Sequence, residues 1–129
     1  MYSIEWLIPS KVFYVKMWDS LTLDELIACN EIVRDKYLDA VDDKIHMVAE
    51  FKDVESFPRN LRDIKYATSI YTNHENMGWA VLIGFKHPLV KFLASVLTQM
   101  ANMNMKTVAD KTEALDVLRR IDLSLPSQA

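Results

Sequence analysis

Hydrophobic and polar residues alternate over YSIEWLI, residues 2–8. Ile4, Trp6 and Ile8 point one way and Ser3 and Glu5 the other, which predicts a half-buried strand. Pro9-Ser10 supplies a tight turn. KVFYVKMW, residues 11–18, is rich in β-branched and aromatic residues and predicts a second strand antiparallel to the first. The period then changes. Leu23, Leu26, Ile27, Ile32 and Val33 form an apolar stripe at helical spacing, with Asn30 and Arg34 off it. Thr22 and Glu25 have the spacing of a capping box, so a helix is expected to start there and run to about Leu38.

Alternation returns in KIHMVAEF, residues 44–51, with Ile45, Met47, Ala49 and Phe51 on one face and His46, Val48 and Glu50 on the other. Asn60 is placed to cap a second helix that carries Leu61, Ile64, Thr68 and Tyr71 at helical spacing. GWAVLIGF, residues 78–85, is a near-continuous apolar run and predicts a central strand. His87-Pro88 opens a third helix, with proline in the first turn where its missing N–H costs nothing. MKTVA, residues 105–109, is a short fifth strand. Asp110 and Glu113 are spaced like the polar residues of a capping box. The last helix is expected to bury Ala114, Leu115, Leu118 and Ile121, and the tail SLPSQA to fray.

The order β-β-α-β-α-β-α-β-α predicts an α/β fold. Its five-stranded mixed sheet would begin with an N-terminal antiparallel hairpin and continue in parallel β-α units joined by right-handed crossovers. No repeat, linker or low-complexity segment divides the chain, so residues 1–129 are expected to form a single domain. Only the fourth strand is apolar on both faces. The first three set Ser3, Glu5, Lys16, His46 and Glu50 opposite their apolar residues, so the helices are expected mainly on one face, with the other partly open. Tyr14, Lys16 and Trp18 share that second face, and aromatics beside a charge make them candidates for an interface. The alternative is that Trp18 ends the strand and packs under the following loop.

With 129 residues, 50% of them hydrophobic, the chain can bury a real core. It is 26% charged with a net charge of -3 and has no Lys/Arg cluster, which argues against a nucleic-acid partner. The sole cysteine, Cys29, excludes an intrachain disulfide and fits a reducing compartment. MYSIEWLIPSK lacks the basic and long apolar regions of a signal peptide. The most apolar stretch, residues 87–100, contains Lys91 and Gln99 and falls short of the roughly 20 apolar residues of a membrane span. A core helix, no membrane span and a cytoplasmic location are expected.

No catalytic set assembles from the sequence. His46, His74 and His87 fall on a strand, a loop and a helix start without ligand spacing, so no metal site is expected. Cys29 reads as a small buried side chain, Ser95 as a packing residue, and Glu50 and Asp53 as solvated carboxylates. Two glycines, Gly78 and Gly84, can hardly build a phosphate-cradling loop. Neither a cofactor nor an enzymatic activity is expected. One generic site remains, the carboxyl ends of the parallel strands. It gathers Asp53, Ser56, Arg59 and Asn60 after the third strand, and Lys86 and His87 after the fourth. Ser56, Arg59, Asn60, Lys86 and His87 are the candidates for binding a partner or an anion. The favoured alternative is that these charges only solvate the loops.

The element order, with helices on one side, resembles the STAS domain of bacterial anti-sigma factor antagonists and the related lipid-transfer (CRAL-TRIO type) fold. The stretches YSIEWLIP, DVESFP and FLASVL are similar to segments of uncharacterised bacterial proteins of the STAS-like class. In the antagonists, a strand ending in Asp leads into an Asp-Ser-Ser-Gly-type turn. Its serine is phosphorylated, and the helix it opens binds the partner. Here Pro58, Arg59 and Asn60 occupy that turn and no Ser-Gly pair is present. A phosphate on Ser56 would lie near a helix N-terminus and Arg59, but Ser56 precedes the proline and reads as a turn residue. The resemblance implies a non-catalytic regulatory or protein-interaction domain, a homodimer with a possible protein partner, lacking the usual phosphorylatable switch. The alternative is a carrier or sensor of a small apolar or anionic ligand, suggested by the lipid-transfer relatives and by the Met-rich segment MANMNM. Those methionines otherwise read as flexible core filling.

Overall fold

The computed structural model describes residues 1–100 and 103–126. Strands β1 (Tyr2–Ile8) and β2 (Val12–Ser20) form the antiparallel hairpin. The elements α1 (Leu23–Ile32), β3 (Ile45–Ser56), α2 (Leu61–Thr72), β4 (Met77–Ile83), α3 (Pro88–Thr98), β5 (Met105–Val108) and α4 (Lys111–Ile121) follow. The sheet order is β1-β2-β3-β4-β5, and β2 to β5 are parallel.

This order fixes where the helices lie. Each crossover from β2 to β5 steps in the same direction, so right-handed connections put α1, α2 and α3 on one face. α4 follows β5 and makes no crossover to another strand of this sheet, so the right-handed rule does not hold it to the same face, and it packs on the opposite one. The larger core accordingly holds Phe13, Val15, Met47, Ala49, Ala80 and Leu82 against Leu26, Ile64 and Leu93. The smaller one holds Val12, Val48, Val81 and Ile83 against Ala114 and Leu118. The expected mixed sheet with helices mainly on one face is the fold observed.

The helix starts follow their sequence signals. The Thr22 hydroxyl accepts the Glu25 N–H at 3.1 Å and the Glu25 carboxylate accepts the Thr22 N–H at 3.2 Å. Asn60 Oδ1 accepts the Asp63 N–H, and Asp110 Oδ1 accepts the Glu113 N–H. The first helix does continue to Leu38, but Val33–Leu38 is π-helical, with the Asp39 N–H reaching Arg34 O. Tyr37, in this wider turn, sets its ring 4.9 Å from Trp6 and 5.4 Å from Phe13.

Several positions depart from expectation. β3 does not stop at Phe51: it runs to Ser56 because β2, continuing to Ser20, pairs with it, Trp18 against Asp53 and Ser20 against Ser56. An irregularity between Trp6 and Ile8 turns Ile8 onto the smaller core, away from Ile4 and Trp6. Asn30 is buried, and its Nδ2 donates to Ala67 O at 2.8 Å, so a polar residue inside α1 ties it to α2. In α4, Leu115 is only partly buried and Ile121 is exposed, while Leu125 from the tail fills the smaller core. Residues 101–102 of the Met-rich segment and 127–129 of the tail lie outside the described residues. Met100, Met103 and Met105 pack against the larger core.

Candidate functional site

The carboxyl ends of β3 and β4 bring the sequence candidates into one region but give them separate tasks. Ser56 sits at the end of the long β3 ladder, not at the start of α2. Its hydroxyl donates to Ser20 Oγ at 3.0 Å and its carbonyl accepts the Leu21 N–H at 2.8 Å. Asn60 caps α2. Arg59 lays its guanidinium 4.3 Å over the Phe57 ring, which also lies near His87 and Phe92.

His87 caps α3. Its Nδ1 accepts the Leu89 N–H at 3.0 Å, and its Nε2 lies 2.7 Å from Val54 O. A ring nitrogen that accepts a backbone N–H carries no proton, so Nε2 bears it and donates to the carbonyl. Both nitrogens are spent on binding α3 to β3. The other two histidines repeat the arrangement. His46 Nδ1 accepts from Trp79 N and its Nε2 faces Asp122 Oδ2. His74 Nδ1 accepts from Asn76 N and its Nε2 faces Asp39 Oδ1. Each histidine is a structural tie, and none presents a lone pair to a ligand. The sequence showed three isolated histidines, and their shared backbone-accepting geometry had no signature in it.

The Ser124–Asp122–His46 chain has the residue types of a nucleophilic triad in the wrong order. Ser124 Oγ donates to Asp122 Oδ1 at 2.6 Å and the imidazole lies on the far side of the carboxylate, so no histidine is placed to take the hydroxyl proton. Hydrogen bonds from Ser124, and then from His46, hold the Asp122 carboxyl down at about 2. Cys29 is fully buried in the larger core, and burial pushes its thiol up to about 12, far from a thiolate. Among the described residues no three His, Cys, Asp or Glu side chains converge as metal ligands.

On the second face of the sheet, Tyr14 is buried beneath α4, with Lys111 Nζ 4.3 Å over its ring. Burial and the nearby Glu50 carboxylate raise its hydroxyl pKa. Glu50 is itself buried and lies 3.6 Å from Lys16 Nζ and 4.0 Å from Lys52 Nζ. α4 thus covers the β3–β5 side and leaves Lys16 and half-buried Trp18 open, in a cleft with Ser3, Asp19 and Asp53.

Two surfaces join sequence candidates to residues that had not been singled out, Tyr66 with Arg59, and Phe85 and Lys52 with Lys86. α2 exposes Leu61 by 45% in its first turn and Tyr66 by 61% further along, with Arg59 and Arg62 exposed at its start. The turn after β4 exposes Phe85 and Lys86 beside Lys52, lining a cleft of about 540 Å³. Leu61, expected on the α2 stripe with Ile64, Thr68 and Tyr71, is exposed instead, and the buried residues are Ile64, Ala67, Thr68 and Tyr71.

No helix among the described residues is long and apolar enough to cross a membrane. No protein-family model matches the sequence, and no curated protein matches it either. Solved structures do match in shape. The anti-sigma factor antagonist SpoIIAA in its unphosphorylated form superposes with a TM-score of 0.58 at 12% identity, over 92% of this chain and 98% of that one. An uncharacterised DUF3478-family protein with a SpoIIAA-like fold, from Shewanella loihica PV-4, superposes with a TM-score of 0.64 at 16% identity, over 92% of each chain. The fold of this chain is SpoIIAA-like, as its element order suggested.

Proposed function

We propose that the chain is a non-catalytic, STAS-like regulatory domain that acts by binding another protein through the outer face of α2. The observation that carries this is the exposure of Leu61 and Tyr66 on α2, with Arg59 and Arg62 exposed at its start. Large apolar side chains with arginine and tyrosine are the composition of interface centres. α2 is also the helix that follows the switch position in the antagonist fold. A cationic patch on a chain of net charge -3 favours a partner with acidic residues around an apolar centre.

The domain works without a serine switch at this turn. Ser56 is held in the β2–β3 ladder, and the side chain that opens α2 belongs to Asn60. We also propose a homodimer formed through the open part of the sheet. Lys16, Trp18, Asp19 and Asp53 mix both charges around an aromatic, which suits self-complementary pairing about a two-fold axis. Light scattering on the size-exclusion peak tests the dimer, with loss of the dimer mass in Trp18→Ser as the expected result. Affinity capture with Leu61→Ser/Tyr66→Ala tests the partner surface. An interior carrier of apolar ligands is not favoured: the internal void lined by Asn30, Thr68 and Tyr71 measures about 20 Å³, enough for one water.

A further inference from the structure

We infer that the cleft between the β4–α3 turn and β3 is a binding site for a small planar aromatic anion, a ring system bearing a carboxylate or phosphate. This is independent of the protein-binding surface on α2. The turn begins at Gly84, whose φ of +102° suits glycine. The Gly84 N–H donates to Val108 O at 2.9 Å, and its carbonyl accepts the His87 N–H at 2.8 Å. A Cβ on Gly84 would come within 3.0 Å of Lys52 Cγ, so the missing side chain is what lets the Lys52 stem lie across the turn. The resulting cleft of about 540 Å³ falls within the size range of small-molecule sites.

Its chemistry is apolar and cationic. Phe85 is 45% exposed and belongs to neither core, so packing gives no reason for an aromatic in this turn. Lys86 Nζ lies 5.9 Å from the Phe85 ring centroid and has no acidic partner among the described residues. Lys52 has only Glu50 at 4.0 Å, and Glu50 lies nearer to Lys16. The charged side chains lining the cleft are therefore two lysines, on a chain whose net charge is -3. His87 also lines the cleft but contributes no free nitrogen. An aromatic face with two ammonium groups beside it matches a flat ring carrying negative charge.

The test is a titration of the full chain, followed by backbone amide chemical shifts, with three probes: naphthoate, naphthyl phosphate and neutral naphthalenemethanol. Saturable shifts at Lys52, Gly84, Phe85, Lys86 and Ala109 are expected with at least one anion, and the neutral probe should bind about tenfold more weakly. Which anion binds more tightly separates a carboxylate ligand from a phosphate one. Lys86→Gln and Phe85→Ser change exposed side chains, so their spectra should remain folded while binding weakens by about threefold or more. The inference is overturned if neither anion saturates below about 10 mM. It is equally overturned if the neutral probe binds as well, if the shifts map elsewhere, or if both folded variants bind like the wild type.

Discussion

His46 Nε2 lies 2.8 Å from Asp122 Oδ2, joining the first residues of β3 to the segment just after α4. The imidazole is 7% exposed and the carboxylate 28%, so the pair sits at the rim of the smaller core. With Nδ1 accepting from Trp79, the ring is fixed in one tautomer and joins three elements: β3, β4 and the end of α4. It helps hold Leu125 in the smaller core.

Asp122 gives the stability an acid limb, through its hydrogen bonds from Ser124 first and His46 second. The Asp122 carboxyl is depressed to about 2 in the folded chain. Its contribution is full above the ordinary carboxylate pKa, near 4, and is lost as the pH falls through about 2. Urea unfolding of the wild type should therefore weaken more steeply between about pH 4 and pH 2 than that of Asp122→Asn. Parallel curves for the two proteins would show that Asp122 does not carry the effect.

His87→Ala removes the cap of α3 and the bond from its first turn to Val54. A loss of about 2 kcal/mol in chemical denaturation is expected from the cap and the hydrogen bond together. His87→Asn should recover part of it, because a short amide can cap the helix but does not replace the imidazole reach to β3.

Gly78 makes room for His46. A Cβ there would meet His46 Nδ1 at 2.6 Å and Ile45 O at 2.8 Å, and the carbonyl belongs to a backbone held in the sheet. Gly78→Ala should cost about 3 kcal/mol, read as a lower denaturation midpoint at unchanged slope. It should also displace the His46 ring signals in the NMR spectrum.

Ser56 is expected to be silent as a switch. Its hydroxyl meets Ser20 across the β2–β3 ladder, one strand end away from the α2 cap. Ser56→Ala and Ser56→Asp should each change partner affinity by less than about threefold in calorimetric titration. A tenfold change with the aspartate alone would restore the serine as a regulatory position.

Periodicity made the scaffold legible, because each element carries its own signal. The alternation of KIHMVAEF, the apolar run before Gly84 and the caps at Thr22, Asn60 and Asp110 are local, and local chemistry decided them. What was not legible depends on neighbours distant in sequence. β3 extends through Lys52, Asp53 and Glu55 because β2 extends beside it, although the charges argue for a loop. Asn30 looked like a polar residue off the stripe, yet Ala67 O, 37 positions away, satisfies it inside the core. The same limit applies to the site. Arg59 and His87 both lie beside Phe57, but the Phe57 ring, the α2 cap and Val54 O already engage Arg59, Asn60 and His87. Phe85 and Lys52 come together only through the turn at Gly84.

The most direct test of the α2 surface is quantitative affinity capture from the source organism's lysate, comparing the wild type with Leu61→Ser/Tyr66→Ala. Both side chains are exposed, so the double variant should unfold within about 0.5 kcal/mol of the wild type. The expected result is a protein retained by the wild type and by the Lys106→Ala control but depleted about tenfold or more by the double variant, with the same pair binding when purified. Identical captured sets for the wild type and the folded double variant would contradict partner binding through α2.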